Sequence, residues 1–143
     1  MAHVSKSVFI PKPVDYVFAY LADFSNTAEW DPGVAEATQT SEGDVGLGST
    51  FDLVTLFRGR RVPVSYEVTL HEPSTRVVLV GRNKNFTGTD DIGVEAEGDG
   101  SRVSWNADFQ MNGVAKLLQP FFGGVFEKLS VEAMEGLERT LGS

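Results

Sequence analysis

The feature that most constrains the fold is a long β-type alternation followed by one helical stripe. In residues 62–70 and again in 103–111, apolar and polar side chains alternate along the chain. Such alternation indicates strands with one buried and one solvated face, which is typical of an antiparallel sheet covered on one side. Residues 114–141 instead space their apolar side chains as a broad helical stripe. We therefore expect a long helix to cover the dry face of the sheet.

The first third of the chain adds three short elements. Val4–Ile10 is predicted to be a strand that ends at Pro11-Lys12-Pro13. Pro13 suits the first turn of a helix, and the apolar residues from Val14 to Leu21 recur at helical spacing. Asp23 to Asp31 is predicted to be a second short helix.

The remaining segments complete the predicted architecture. Between Val34 and Asn112 the strands are separated by turn-forming segments at 41–48, 58–60, 72–74, 84–85 and 97–100. Pro120 and Gly123-Gly124 predict a kink or break within the last helix. We expect a single α+β domain over residues 1–143. It has a curved antiparallel sheet of about six to seven strands, two short helices after the first strand, and a long C-terminal helix across the concave face.

The charge balance excludes two classes of partner. The chain has 12 basic and 20 acidic residues, a formal net charge of −8. A nucleic-acid binder needs a basic surface to displace counterions from phosphate, so we predict no nucleic-acid partner. No apolar run approaches the roughly 20 residues of a membrane span, and we predict no membrane insertion. Whether the chain is a monomer or a homodimer stays open.

The cysteine and histidine content excludes most metal chemistry. The chain has no cysteine and two histidines, His3 and His71. The lack of cysteine excludes disulfides and thiolate metal sites and is compatible with a reducing compartment. The N-terminus is polar from the start, unlike a signal peptide, and we predict a cytoplasmic location. Because His71 is expected on the polar face of its strand, we predict no metal and no cofactor.

Four segments carry a resemblance to a known family. They are Pro-x-Pro-Val-Asp-Tyr-Val-Phe at 11–18, Trp-Asp-Pro-Gly-Val at 30–34, Gly-Leu-Gly-Ser-Thr at 46–50 and Gly-Ser-Arg-Val-Ser-Trp at 100–105. In order and spacing they resemble the START-related SRPBCC superfamily, which includes birch-pollen-allergen-like proteins and a polyketide cyclase/dehydrase-like branch. The resemblance covers nearly the whole chain. It implies a helix-grip fold with a hollow between the concave face and the long helix, where relatives hold apolar small molecules.

Large apolar side chains are expected to line this hollow. The chain has 10 Phe, 3 Tyr and 2 Trp, and flat rings are good liners of a gap that one helix cannot fill. The alternative is a solid core filled by the same rings. The predicted ligand-binding residues are Trp30, Phe51, Leu53, Tyr66, Val68, Trp105, Phe109, Met111, Leu118, Phe122 and Val125. The family pattern would put Trp30 near the mouth.

Polar residues with inward parity are the candidates for chemistry. Tyr66 combines inward parity with a hydroxyl and is the best candidate to bond the polar end of a ligand. The alternative is a core tyrosine bonded to backbone or water. Asp90 shares parity with Ile92, so it either points inward or lies at the sheet margin. Arg82 would be its natural partner if it faced the same way. Tyr66, Asp90 and Arg82 are therefore the candidate catalytic residues.

Three functions remain open at this stage. The first is a carrier or sensor that binds a lipid, polyketide, isoprenoid or other apolar molecule. The second is a cyclase, dehydrase or lyase that acts on a polyketide-like substrate in the same cavity. The third is a co-chaperone-like or regulatory interaction module, for which Phe121-Phe122 is the candidate exposed patch. The fold does not choose among them, because function depends on the site.

Overall fold

Seven antiparallel strands form one curled sheet in the computed structural model, which describes residues 2–113 and 123–142. The strands are β1 (Ala2–Ile10), β2 (Val34–Gln39), β3 (Thr50–Phe57), β4 (Arg60–Glu72), β5 (Arg76–Arg82), β6 (Phe86–Glu97) and β7 (Gly100–Met111). Their order across the sheet is β1-β7-β6-β5-β4-β3-β2. The sheet is thus a meander from β2 to β7, and β1 pairs with the last strand.

The helices follow the predicted order. They are α1 (Val14–Ala22), a 3-10 turn (Phe24–Asn26), α2 (Thr27–Trp30) and α3 (Gly123–Leu141). The second predicted helix is therefore divided into a 3-10 turn and one short α-helix. The turn begins where the Asp23 carboxylate accepts a hydrogen bond from Ser25 N at 3.0 Å. The first part of the predicted long helix, residues 114–122, lies outside the described residues.

The order of the elements and the single antiparallel sheet confirm the predicted helix-grip α+β fold.

Helix α3 lies against the sheet and against α2. It packs on β1 at the edge of the sheet, and its Leu137 side chain is fully buried. A Cβ atom at Gly136 would lie 1.9 Å from the Trp30 carbonyl oxygen, so the two helices meet at a distance that only glycine permits. This contact holds the C-terminal half of α3 beside the short α2. Among the described residues, no helix is long and apolar enough to cross a membrane.

A bulge in β4 changes which side chains face inward. The pairing of β4 with β5 shifts register between Val68 and Leu70, and beyond the shift His71 lies opposite the fully buried Val77. The His71 ring meets the buried Phe18 ring of α1 at 5.4 Å. The prediction that His71 lies on the polar face is therefore wrong. The extra residue of a bulge reverses the parity of every position that follows it.

Candidate functional site

A cavity of about 260 Å³ lies between the concave face of the sheet and α3. Its wall includes side chains from the 3-10 turn, α2, α3 and six of the seven strands. Aromatic rings form much of this wall, and they belong to Phe24, Phe57, Tyr66, Phe86, Trp105, Phe109 and Phe126. The expected hollow is therefore present in the described part of the chain.

Two paired glycines widen the centre of the sheet. Gly81 of β5 lies opposite Gly88 of β6, with Tyr66 beyond Gly81 and Phe109 beyond Gly88. A Cβ at Gly81 would lie 2.5 Å from Tyr66 Cε1, and one at Gly88 would lie 3.3 Å from Phe109 Cδ1. The two rings therefore lie over the glycines, in space that any larger residue would occupy.

One end of the cavity is a cluster of rings. Phe109 of β7 stacks on Phe126 of α3 with ring centroids 4.4 Å apart and an interplanar angle of 7°. Phe57, at the end of β3, lies 5.9 Å from the same Phe126 ring. These contacts join α3 to both sides of the curled sheet. They also give this end of the cavity an apolar surface suited to a hydrocarbon or ring.

The other end of the cavity holds a buried carboxyl. Asp90 of β6 is 7% exposed and lies between Leu79 of β5 and Ala107 of β7. Its Oδ1 accepts a hydrogen bond from Trp105 Nε1 at 3.1 Å. Burial raises the pKa of Asp90 to about 7; the Trp105 hydrogen bond lowers the pKa and the charge of Asp31 raises it. Of the two positions left open for Asp90, inward or at the sheet margin, the structure has the inward one.

A second carboxyl, Asp31, lines the same cavity from the end of α2. The Gly33 backbone N–H donates to Asp31 Oδ1 at 2.8 Å, which fixes the carboxyl at the Pro32-Gly33 turn. Burial raises the pKa of Asp31 to about 6, although the Gly33 hydrogen bond opposes the shift. Both carboxyls therefore have pKa values near neutral pH, well above the ordinary pKa of an aspartate.

Tyr66 completes this polar group. Its side chain lines the cavity and the residue is 8% exposed. Burial raises the pKa of the Tyr66 hydroxyl well above its usual value, and the nearby charges of Asp90 and Asp31 add to the shift. In residues 2–113 and 123–142 no group forms a hydrogen bond with Tyr66 Oη. The hydroxyl therefore stays protonated and can donate to a molecule in the cavity.

A single cation lines the described part of the cavity wall. Lys6 is on β1, where it lies opposite Trp105 and shares its face with the buried Val4 and Val8. Its Nζ pairs with the Glu127 carboxylate of α3. The charge of Lys6 is therefore matched by a residue of the helix that covers it.

The structure divides the predicted ligand-binding residues into three groups. Five line the cavity: Leu53, Tyr66, Trp105, Phe109 and Met111. Trp30, Phe51 and Val68 lie in the buried core, each 2% exposed or less, and none of them is on the cavity wall. Val125 is half-buried on α3, and the next residue, Phe126, lines the cavity in its place. Leu118 and Phe122 lie outside the described residues, as does the candidate patch Phe121-Phe122.

The position predicted for Trp30 by the family pattern is not the observed one. Trp30 ends α2 and is 2% exposed, and its indole meets Trp105 edge-to-face at 5.4 Å. The backbone carbonyl of Trp30 packs against Gly136 of α3. Trp30 supports Trp105 from behind, so it contributes to the site only indirectly.

Arg82 is not the partner of Asp90. In the sheet register Arg82 lies opposite Ser65 and Thr87, whereas Asp90 lies opposite Leu79. Side chains alternate between the faces of a strand, so Arg82, three positions beyond Leu79, points to the outer face, where it is exposed. The Trp105 indole takes the place that was expected for this guanidinium.

Two polar residues of the site escape prediction. Asp31 falls within the Trp-Asp-Pro-Gly-Val segment, where it is interpreted only as the end of a helix. A carboxylate between a tryptophan and a Pro-Gly turn was the available signal. Lys6 shares parity with Val4 and Val8, which indicates the concave face, but lysine is seldom placed there.

Residues 1–142 match a protein family described as polyketide cyclase / dehydrase and lipid transport. The chain belongs to this family. The search of curated proteins finds no sequence that matches this chain. The predicted resemblance to a polyketide cyclase/dehydrase-like branch is thus confirmed over residues 1–142.

Solved structures share the fold of this polyketide cyclase/dehydrase family member. The TTHA0849 protein of Thermus thermophilus is 17% identical with a TM-score of 0.81, and the match covers 97% of this chain and 96% of that one. The Zhui aromatase/cyclase of Streptomyces sp. R1128 is 16% identical with a TM-score of 0.79 (96% and 94% covered). A START superfamily protein of Mycobacterium smegmatis is 16% identical with a TM-score of 0.76 (99% and 95% covered). At these identities the likeness shows the fold alone.

Proposed function

We propose that this protein binds an apolar small molecule of the lipid, polyketide or isoprenoid class in the cavity, as a carrier or sensor. The observation that carries the proposal is the cavity of about 260 Å³ lined by seven aromatic rings. Moving apolar surface from water onto such a wall is favourable by about 25 cal/mol per Å². The family, described by cyclase, dehydrase and lipid-transport activities, supports the same class of ligand. We expect this binding to take place in the cytoplasm.

Filling the cavity tests this proposal. Ala107 of β7 lines the cavity, so Ala107→Leu adds side-chain volume inside it. The matched control is Ala96→Leu, because Ala96 is exposed on the adjacent strand β6. The probe is N-phenyl-1-naphthylamine, an uncharged dye whose emission rises in apolar surroundings. We expect the wild type and Ala96→Leu to bind the dye alike, and Ala107→Leu to bind it about tenfold more weakly, because the added atoms exclude the dye.

The two variants also define the contradictory result. Thermal unfolding of Ala107→Leu checks that the chain still folds cooperatively. If folded Ala107→Leu bound the dye as tightly as the wild type, the dye would be on the surface, and the cavity would not be the binding site.

A second candidate is a cyclase/dehydrase-like enzyme that uses the same cavity. It is favoured by Asp90, whose pKa of about 7 suits a group that gives and takes protons near neutral pH, and by the neighbouring Tyr66 hydroxyl. Arg82 has no part in it, because its side chain is on the outer face. For any polyketide-like substrate that is turned over, Asp90→Asn and Tyr66→Phe should abolish turnover and leave binding of the uncharged dye N-phenyl-1-naphthylamine nearly intact. Normal turnover by both variants would exclude these roles.

A further inference from the structure

We propose that the polar end of the bound ligand is a hydrogen-bond donor without negative charge, an alcohol, phenol or amine, and that it lies against Asp90, Asp31 and Tyr66. The inference rests on the proposed function, because it assumes that the cavity is a binding site. It adds the chemical class of the ligand and its orientation.

The two carboxyls present oxygen atoms that the described residues leave unsatisfied. Asp90 accepts one hydrogen bond, from Trp105 Nε1 to Oδ1, and Asp31 accepts one, from Gly33 N to Oδ1. In residues 2–113 and 123–142, no group donates to the Oδ2 atom of either carboxyl. Among the described residues, the fully enclosed side-chain polar atom without a partner is Trp30 Nε1, so both Oδ2 atoms are accessible from the cavity, where they can accept a hydrogen bond. A donor on the ligand would supply one at the point where both residues line the cavity.

Tyr66 gives independent support for a polar binding site beside Asp31 and Asp90. Its side chain is more than nine-tenths buried and lines the cavity, and in the described segments its hydroxyl has no hydrogen bond. A hydroxyl can both donate and accept, so Tyr66 can bond an alcohol or a phenol, and it can accept from an amine. The Phe24 ring contacts the rings of Tyr66 and Trp105 at centroid distances of 5.2 and 6.5 Å, and Trp105 donates to Asp90. Asp31 directly follows Trp30, whose indole meets Trp105 at 5.4 Å.

The charges of the wall disfavour an anionic ligand. Among the described wall residues, Lys6 is the single cation, and Glu127 already pairs with it. A fatty acid or a phosphate would bring a negative charge next to Asp31 and Asp90. No described residue of the wall offers an unpaired cation to balance that charge. Desolvating like charges side by side is unfavourable in a low-dielectric cavity.

The ring cluster sets the orientation of the ligand. Phe109, which stacks on Phe126, is two residues along β7 from Ala107, and Ala107 lies opposite Asp90, so the ring cluster and Asp90 are about 7 Å apart along the strand. Trp105 holds Asp90 at the polar end of the cavity. An apolar body against Phe109 and Phe126 would therefore bring a terminal donor to Asp90.

Three ligands of equal chain length test this inference. Decan-1-ol, decylamine and decanoate are each used to displace bound N-phenyl-1-naphthylamine at about pH 7.5, where the amine is a cation and the acid an anion. Each ligand has ten carbons, but the carboxylate carbon leaves decanoate one methylene shorter in its apolar chain. That methylene accounts for about fourfold in affinity, so a larger difference reports the polar end. We expect the alcohol, the amine or both to displace the dye at concentrations at least about tenfold lower than decanoate does. The relative strength of the alcohol and the amine shows whether the preferred donor is neutral or cationic.

Variants connect the preference to the named residues. The double variant Asp31→Asn with Asp90→Asn keeps the shape of both side chains and removes their charge. In it we expect the difference between decanoate and the preferred donor ligand, decan-1-ol or decylamine, to fall to about fourfold or less. The control Asp91→Asn changes the adjacent carboxyl on the outer face of β6, and it should keep the wild-type difference.

Each contradictory outcome excludes a different part of the proposal. If decanoate displaces the dye as well as decan-1-ol and decylamine do, the cavity binds ligands but this inference is wrong. If the preference is unchanged in the double variant, its assignment to Asp31 and Asp90 is wrong. If neither the dye nor any of the three ligands binds, the proposed function fails, and this inference fails with it.

Discussion

Asp90 and Asp91 are adjacent aspartates whose environments differ completely. Asp91 lies on the outer face of β6, where its two oxygens accept hydrogen bonds from Arg76 at 2.9 and 2.8 Å. Asp90 lies on the inner face, where burial raises its pKa to about 7. The parity of the strand alone predicts that one of the two side chains points inward. The size of the pKa change depends first on how completely the assembled fold buries Asp90, and then on the Trp105 hydrogen bond and the charge of Asp31, and the strand pattern does not predict these contacts.

The pH dependence of stability tests the burial of Asp90. Its pKa is higher in the folded chain than the ordinary 3.8, so between about pH 4 and 7 the native state binds more protons than the unfolded state. Its contribution therefore destabilises the fold as the pH rises through this window, and the loss is complete above pH 7. We expect Asp90→Asn to be more stable than the wild type by about 2–4 kcal/mol at about pH 8.5, and the gain to vanish near pH 4.

Urea unfolding between those pH values measures this difference. Asp31 changes in the same direction, with a pKa of about 6, so both the wild type and the variant keep part of the slope. Asp91→Asn is the control, and it should show no gain at high pH because Asp91 pairs with Arg76. A gain for Asp90→Asn that stays constant with pH would contradict the account.

At the scale of elements, the local periodicity of the sequence predicts which side chains share a face within one strand or helix. The alternation in β7 correctly predicts that Trp105 and Phe109 face inward, and this gives one side of the cavity. The bulge in β4 is not visible in the sequence, because it arises from pairing with β5. For that reason His71 is predicted on the wrong face. Arg82 fails for a related reason, because the register between β5 and β6 decides which residues of β5 share a face with Asp90.

The contact between α3 and α2 gives a prediction for a single glycine. Gly136→Ala would put a Cβ 1.9 Å from the Trp30 carbonyl, so the helices must separate. We expect a loss of about 2–3 kcal/mol in the free energy of unfolding, although alanine favours the helix by about 1 kcal/mol. Gly124→Ala in the same helix meets no atom within 4 Å and should be neutral or stabilising. Thermal unfolding compares them, and equal stability of the two variants would disprove the close contact.

At the scale of the whole molecule, the cavity belongs to no single element. The sequence predicts the order of the elements and the presence of a hollow, and five of the predicted ligand-binding residues lie on the wall. It missed Asp31 and Lys6, and it placed Trp30 on the wall rather than in the core. Their positions depend on how the sheet curls and where α2 and α3 meet, which are consequences of the assembled fold. The wall therefore has a polar end that composition and parity could not reveal.

Native mass spectrometry of the protein purified from its own host tests the central claim most directly. The account predicts a species heavier than the bare chain by one small molecule, which is released on denaturation and is apolar with an uncharged or cationic donor at one end. Ala107→Leu prepared in the same way should carry less of it. Wild-type protein that is always found at its bare mass, and that also fails to bind N-phenyl-1-naphthylamine, would contradict the account.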